Sequence, residues 1–230
     1  MFQKIKLFMV LILSFSGFSQ DLNKDIELIA DKMISSNSIQ MEVDVNVFSS
    51  KGGKMIFTTE AKLFKRKDDF KSILSDVEIV KTSGYFIKLD HTERMILVQK
   101  KNTKILKEQD LNIDVEALKE MLGKKDEVKN EIKTSLVSNK SGIKTYSIKG
   151  IQDVYEMIIV LDSVNSKLIK VSYQYGTKSS KGQYAEMKYT KFLYNQNLSN
   201  EFDLSQYFTG SNNNYVLNPK LKGFKLFTEE

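Results

Sequence analysis

The clearest pattern in the chain is a strict alternation of apolar and polar residues that begins at Ile39. The apolar positions of this segment are Ile39, Met41, Val43, Val45 and Val47. Such alternation is typical of a β-strand that is buried on one face and wet on the other. Gly52 and Gly53 then predict a hairpin turn before a second alternating strand. The apolar side of that second strand is formed by Met55, Phe57, Thr59, Ala61 and Leu63.

Short apolar or alternating segments continue along the rest of the chain, separated by polar turns. Antiparallel strands joined by short turns build a sandwich or a barrel. The chain is therefore predicted to be mainly β. Its further strands are predicted at Phe70–Leu74, Glu78–Val80, Tyr85–Leu89, Met95–Val98, Ile132–Val137, Ile143–Ile148, Met157–Leu161, Leu168–Tyr175 and Gln183–Phe192.

Two helices are predicted beside these strands. Between Leu22 and Ile34, apolar residues recur every three or four positions, which predicts an amphipathic helix. A second, short helix is predicted at Val115–Leu122, where Asp114 is placed to cap its start and Gly123 to end it. The two helices are available to plug or cover the sheet, which makes the fold class α+β, mainly β with helices.

The N-terminal segment has the order of charged, apolar and small residues that marks a secretory signal peptide. Lys4 and Lys6 precede an apolar run over residues 7–13, and small residues lead to Ser19. The run is too short to cross about 30 Å of hydrocarbon at 1.5 Å per residue. We expect cleavage after Ser19, which leaves residues 20–230 as a single domain.

The absence of cysteine excludes several kinds of site and a lipid anchor. The chain has no cysteine, which excludes disulfides, thiolate metal sites and a cysteine nucleophile. A bacterial lipoprotein carries its lipid on a cysteine directly after the signal, and Gln20 and Asp21 stand at that place. The sequence therefore predicts an exported protein that is soluble and not lipid-anchored, and the resemblance described below implies the periplasm as its location.

The charge of the chain is mildly basic and evenly spread. The formal charge of +6 falls to +4 when Lys4 and Lys6 leave with the signal peptide. The lysines are interspersed with acidic residues, which is the pattern of a solvated surface and disfavours nucleic-acid binding.

Few residues are suited to catalysis. The single histidine, His91, lies in a polar segment predicted to be a turn, and the chain has no G-x-S-x-G motif to present a serine. Asp68 and Asp69 lie next to lysines, where exposed charge is the default. No glycine-rich phosphate loop and no metal-spaced cluster is present. The sequence favours a protein that is not an enzyme and uses no cofactor and no metal.

The apolar face of the strands has two interpretations that the residues alone leave open. It is either an ordinary core packed under the helices or the lining of a cavity that holds a lipid chain, for which methionine gives an adaptable surface. The residues expected to line such a lipid-binding cavity are Met41, Val43, Val45, Met55, Phe57, Leu63, Ile87, Leu89, Met157 and Ile159.

The order and texture of these segments resemble the LolA-like periplasmic lipoprotein carriers, which share their fold with LolB and RseB. The resemblance covers nearly all of the mature chain. It rests on the signal peptide, the helix Leu22–Ile34, the hairpin Ile39–Phe64, the basic-then-aromatic element Leu63–Phe70, and the segments Ile158–Asp162, Leu168–Tyr175 and Tyr189–Asn195, followed by Phe202.

The resemblance implies a fold and a function. LolA-like proteins form a curved, incomplete antiparallel barrel, and helices cover an apolar hollow that takes acyl chains. They tend to carry an arginine shortly after the second long strand, and Arg66 stands at that position. Arg66 is then either a rim residue, whose stem packs while its head stays in water, or a latch that holds the cover closed. The proline that commonly flanks that arginine is missing here, since Phe64 and Lys67 occupy those positions.

Two hypotheses of different classes follow. The first is a monomeric carrier that takes acyl chains of a lipid or lipoprotein from a donor complex to an acceptor at the outer membrane. The second is a non-catalytic envelope scaffold or sensor on the same fold, with a filled interior and a lysine-rich surface that includes Lys100, Lys101, Lys104 and Lys107.

Overall fold

The fold was analysed in a computed structural model that describes residues 20–100, 132–151, 153–176, 181–211 and 214–229. The predicted signal peptide and the predicted helix Val115–Leu122 lie outside these residues. Within them, no helix is both long enough and apolar enough to cross a membrane.

The first predicted helix is present as α1, Gln20–Ser35. Leu22, Ile26 and Ile29 are buried, and their spacing places them on one face of the helix. Asp21 lies in the first turn and Lys32 in the last, where each complements the partial charge of its helix end.

Fourteen strands follow among the described residues. The predicted strands are all found, and the sequence pattern missed the last three. The strands are β1 Ser38–Phe48, β2 Met55–Arg66, β3 Asp69–Leu74, β4 Val77–Lys81, β5 Tyr85–Asp90, β6 Met95–Lys100, β7 Lys133–Lys140, β8 Ile143–Lys149, β9 Val154–Asp162, β10 Lys167–Gly176, β11 Lys181–Tyr194, β12 Phe208–Thr209, β13 Val216–Leu217 and β14 Lys225–Glu229.

Twelve of these strands are hydrogen-bonded in one sheet. Its order is β14-β6-β5-β4-β3-β2-β1-β11-β10-β9-β8-β7, so that β14 and β7 are end strands and the sheet is not closed into a barrel. The pairing is antiparallel from β2 to β6 and from β7 to β11, whereas β14 pairs with β6 in parallel. The expected fold class, mainly β with helices and an incomplete antiparallel barrel, is confirmed for the described part of the chain.

The contacts divide the chain into two compact units. The described residues of unit 1 lie within Met1–Ile34, Asn46–Thr58 and Gln109–Lys188, and those of unit 2 lie within Ser35–Val45, Thr59–Glu108 and Tyr189–Glu230. Each unit contains buried apolar residues of its own.

In unit 1, α1 covers the apolar face of strands β8 to β11. The register places two rows of buried side chains on that face, since directly paired residues point the same way. The rows are Tyr146, Ile159, Val171 and Met187, and Ile148, Met157, Tyr173 and Ala185.

A buried carboxylate fixes α1 to this face. Asp25, only 5% exposed, lies on the same helix face as Leu22 and Ile29. Its oxygens accept a hydrogen bond from Tyr146 Oη at 2.7 Å and two from Lys144 Nζ at 2.9 Å. Burial, followed by the hydrogen bond to Asp25, raises the pKa of the Tyr146 hydroxyl above its ordinary value.

Removing the Asp25 carboxylate should weaken unit 1 strongly. In Asp25→Ala, Lys144 and Tyr146 lose their partner, and breaking a buried pair by removing one partner costs about 3 kcal/mol or more. Tyr146→Phe removes a single hydrogen bond and should cost about 1–2 kcal/mol. Urea unfolding followed by circular dichroism measures both. Equal losses in the two variants would contradict the role given to Asp25.

The Tyr146 hydroxyl should also make stability depend on alkaline pH. An unfolded tyrosine ionises near pH 10, whereas in the folded protein the raised pKa keeps the proton on Tyr146. The unfolded state then binds fewer protons, so the free energy of unfolding falls as the pH rises above about 10. Tyr146→Phe removes this contribution. Between about pH 8 and pH 11, the free energy of unfolding of the variant should therefore fall less steeply than that of wild type. Parallel pH profiles for variant and wild type would contradict the assignment.

Candidate functional site

The strongest candidate site lies in unit 2, on one face of strands β2 to β6. Paired residues across these strands form two rows on that face. The first row is Phe64, Lys71, Val80, Ile87 and Val98, and the second is Lys62, Ile73, Glu78, Leu89 and Ile96. We call this surface the unit 2 face. It is apolar except for the charged residues on β2, β3 and β4.

Residues 198–211 and 214–224, which we call the strap, cover this face. Its described residues include three short 3-10 helices, Ser199–Phe202, Leu204–Gln206 and Pro219–Leu221, and the two-residue strands β12 and β13. The backbone hydrogen bonds seen among these residues join parts of the strap to each other, as from Asn218 N to Tyr207 O at 2.9 Å. After the strap, β14 pairs with β6 and anchors the segment in the sheet.

The strap supplies half of the buried apolar cluster on the unit 2 face. The buried core residues from the strap are Leu198, Phe202, Tyr207, Phe208, Tyr215 and Leu221, and those from the sheet are Phe64, Val80, Ile87, Leu89, Ile96 and Val98. Tyr85 of β5 joins two strap rings in edge contacts, with centroid distances of 5.4 Å to Phe208 and 6.3 Å to Tyr215. The strap thus contacts the sheet through side chains that could equally pack against another apolar group.

A buried ionic cluster lies beneath the strap. Lys71 is 5% exposed, and its Nζ lies 3.2 Å from an oxygen of Glu78 on β4 and 3.2 Å from an oxygen of Glu201 on the strap. Its Nζ also lies 5.9 Å from the ring centroids of Phe64 and Tyr207. A buried ammonium requires such partners, because leaving it unpaired in apolar surroundings is costly.

The strap contributes a hydrogen-bond donor to the same cluster. The Tyr207 hydroxyl donates to the Glu78 carboxylate. Burial, followed by this hydrogen bond and the negative charge of Glu78, raises the pKa of the Tyr207 hydroxyl above its ordinary value. Tyr207 therefore stays protonated and able to donate. Two polar groups of the strap thus contact charged side chains of the sheet. The Glu201 carboxylate pairs with Lys71, and the Tyr207 hydroxyl donates to Glu78.

Arg66 lies at the end of β2, next to this cluster. It donates two hydrogen bonds to Asp69, from Nη2 at 2.8 Å and from Nε at 3.3 Å. Its guanidinium carbon lies 4.8 Å from the ring centroid of Phe202 in the strap. A planar guanidinium over an aromatic face is a stabilising arrangement. The residue expected to act as a latch thus contacts the covering segment through a ring, while its hydrogen bonds stay within the β2–β3 hairpin.

The ten expected lipid-binding residues are divided between the two units. Ile87 and Leu89 lie on the unit 2 face under the strap. Leu63 is buried but pairs with Ser72, in the row on the opposite side of the sheet from Phe64. Met41 and Val43 are buried in unit 2, whereas Val45 is half-buried.

The remaining expected residues belong to unit 1. Met157 and Ile159 are fully buried on the face that α1 covers. Phe57 is half-buried and Met55 is 47% exposed. The alternation along β2 predicted a single apolar side for the whole strand, and this side did not include Phe64. In the structure both Leu63 and Phe64 are buried, so β2 is covered on both sides at this point.

The described residues offer little for catalysis. His91 is exposed in the turn after β5, and its ring lies 5.7 Å from that of Phe224 in an edge contact. Across the described ranges, no group of three or more histidine or carboxylate side chains is placed to hold a metal ion.

The pattern analysis missed the ionic cluster. Lys71 and Glu78 belong to the adjacent strands β3 and β4, so their proximity follows from a hairpin register that the sequence did not fix. Their partners Glu201 and Tyr207 come from a tail without strand or helix periodicity. Two features of the sequence could have indicated the cluster. One is the charged Lys71 at an inward position of a short strand, and the other is the set of four apolar residues in the strap, Phe202, Leu204, Tyr207 and Phe208.

Comparison with known proteins identifies similar folds only at low sequence identity. No family model matches the chain, and no curated protein matches it. An uncharacterized conserved protein from Thermus thermophilus is 8% identical, with a TM-score of 0.46 over 91% of this chain and 100% of that one.

Two further solved structures have smaller TM-scores. A DUF1329 family protein from Desulfovibrio piger is 16% identical, with a TM-score of 0.31 over 79% of this chain and 97% of that one. A LolA superfamily protein from Nitrosomonas europaea is 11% identical, with a TM-score of 0.31 over 77% of this chain and 94% of that one. A LolA superfamily structure is thus among the solved structures that this chain resembles.

Proposed function

We propose that the protein is a non-catalytic carrier of acyl chains in the periplasm, and that the chains bind the unit 2 face when the strap moves away. The observation that carries this proposal is the construction of the strap. Its side chains form half of the buried cluster on the unit 2 face, while the backbone hydrogen bonds of its described residues run within the strap. Displacing these residues would break mainly side-chain contacts with the sheet.

Exchange of the strap for an acyl chain is energetically reasonable. An exposed unit 2 face would be unfavourable, because burying apolar surface stabilises by about 25 cal/mol per Å². An acyl chain recovers about 0.8 kcal/mol per buried methylene, so a long chain can replace the buried rings of the strap. The closed and open forms would then differ by a small free energy that the ligand reverses. The sequence resemblance to lipoprotein carriers supports the same function.

The alternative is a scaffold or sensor whose strap never leaves. The observation that favours it is that the apolar surfaces of both units are covered by the chain itself, by α1 in unit 1 and by the strap in unit 2. In that case the interior is an ordinary core.

Recovery of ligand separates the carrier from the scaffold. Protein purified from the periplasm without detergent should carry lipid that native mass spectrometry detects, and delipidated protein should bind a fluorescent acyl-chain probe. Both should be lost when a bulky residue replaces Val80 at the centre of the face, in Val80→Trp. Absence of recovered lipid, together with no binding of the probe, would favour the scaffold.

Loss of Arg66 should speed exchange without unfolding the protein. Arg66→Leu removes the guanidinium from the Phe202 ring, a partly exposed contact of about 0.5–1 kcal/mol. We expect a melting temperature close to that of wild type and faster uptake and release of the acyl-chain probe in stopped-flow fluorescence. Lys65→Leu, on the opposite side of β2, is the matched control and should leave both rates unchanged.

A double-mutant cycle tests whether Arg66 acts through the strap. If it acts through Phe202, the effects of Arg66→Leu and Phe202→Ala on the release rate should be non-additive, because both remove the same contact. Additive effects would return Arg66 to an ordinary role in the β2–β3 hairpin.

A further inference from the structure

Building on the proposed function, we propose that the carried amphiphile has an anionic head group, which Lys71 binds in place of the Glu201 carboxylate. The inference concerns the chemical class of the ligand. It depends on the ionic cluster under the strap and not on the apolar residues that would hold the acyl chain.

The position of Lys71 is the first step. Its side chain is 6% exposed and projects from β3 onto an apolar face, between Phe64 on β2 and Val80 on β4 in the register. A lysine is rarely buried on such a surface, because the ammonium must be taken out of water. The ammonium therefore requires charged partners. Glu78 on β4 is one of them, and Glu201 on the strap is another.

The second step is that the strap has the chemical layout of an amphiphile. Glu201 places a carboxylate 3.2 Å from Lys71, and the next residue, Phe202, begins the set of buried rings that lie on the unit 2 face. An anionic group is thus followed directly by apolar groups on the same surface. The Glu201 side chain is 36% exposed, so it lies at the edge of the covered face where solvent reaches it.

The third step is what happens to Lys71 when the strap leaves. Glu201 departs with the strap, and Lys71 retains only Glu78, while an acyl chain would exclude water from its surroundings. With a neutral head group bound, this ammonium would have one charged partner fewer than in the closed form, where it contacts both Glu78 and Glu201. An anionic oxygen would restore a charge-assisted hydrogen bond, the kind that is strongest where water is excluded.

Competition between amphiphiles of matched chain length tests the head-group preference. Palmitate and 1-palmitoyl-lysophosphatidylglycerol supply a carboxylate and a phosphate on a single chain, and 1-hexadecanol is the neutral counterpart. Each is titrated against delipidated protein that holds a fluorescent acyl-chain probe with an uncharged head. One charge-assisted hydrogen bond is expected to make the anionic ligands bind about tenfold more tightly than the alcohol. Comparison of the two anionic arms tells whether a free fatty acid or a phospholipid is the better source.

Two variants assign the preference to Lys71. In Lys71→Met the anionic ligands should bind no better than hexadecanol, whereas Lys88→Met, an exposed lysine of β5 on the other side of the sheet, should keep the preference. In Glu201→Gln the closed form loses one charged partner of Lys71, so affinity for the anionic and the neutral ligands should rise by the same factor, and no rise for any ligand would contradict the displacement of Glu201. The exposed Glu93→Gln is its control.

The outcomes separate this inference from the proposed function. If no amphiphile binds, the carrier function fails and the inference fails with it. If all amphiphiles bind equally well, the carrier function stands and the head-group inference is overturned. If Lys71→Met does not fold, Lys71→Gln decides: an unchanged preference for the anionic ligands in that variant overturns the inference.

Discussion

The apolar face of the unit 2 sheet must be covered, and this requirement shapes the C-terminal part of the chain. Val80, Ile87 and Val98 all point to one side of the sheet. In unit 1 the comparable face is covered by α1, a regular helix with a buried ion pair. In unit 2 the cover is a strap of short 3-10 turns that bonds to itself, so the same physical need is met by a segment of very different construction.

The charged residues beneath the strap make its position specific. Apolar packing alone has little directional preference, so many placements of the buried strap side chains would serve equally well. Glu201 and Tyr207 each have a defined partner on the sheet, in Lys71 and Glu78, and these contacts select one placement. In the proposed carrier, an anionic group of the ligand would take the place of the Glu201 carboxylate beside Lys71.

The sequence predicted the sheet far better than it predicted the site. Strict alternation from Ile39 to Val47 and the short polar turns indicated the strands and their antiparallel pairing, because a strand that is buried on one face constrains its residues in period two. Where β2 is buried on both sides, at Leu63 and Phe64, that rule no longer separates inside from outside. The strap has no period at all, since its side chains follow the shape of the face it covers. Its contacts with Lys71 depend on register and on distant residues, which local patterns do not encode.

The central claim is that an acyl chain and the strap occupy the same face in turn. The chain has no cysteine, so a single introduced thiol reports on its own surroundings. Phe208→Cys places that thiol on the strap, and Val80→Cys places it on the sheet beneath. When delipidated protein is saturated with an acyl-chain ligand, the account predicts that maleimide labelling accelerates at position 208 and stays slow at position 80. Slow labelling at position 208 with ligand demonstrably bound would contradict it.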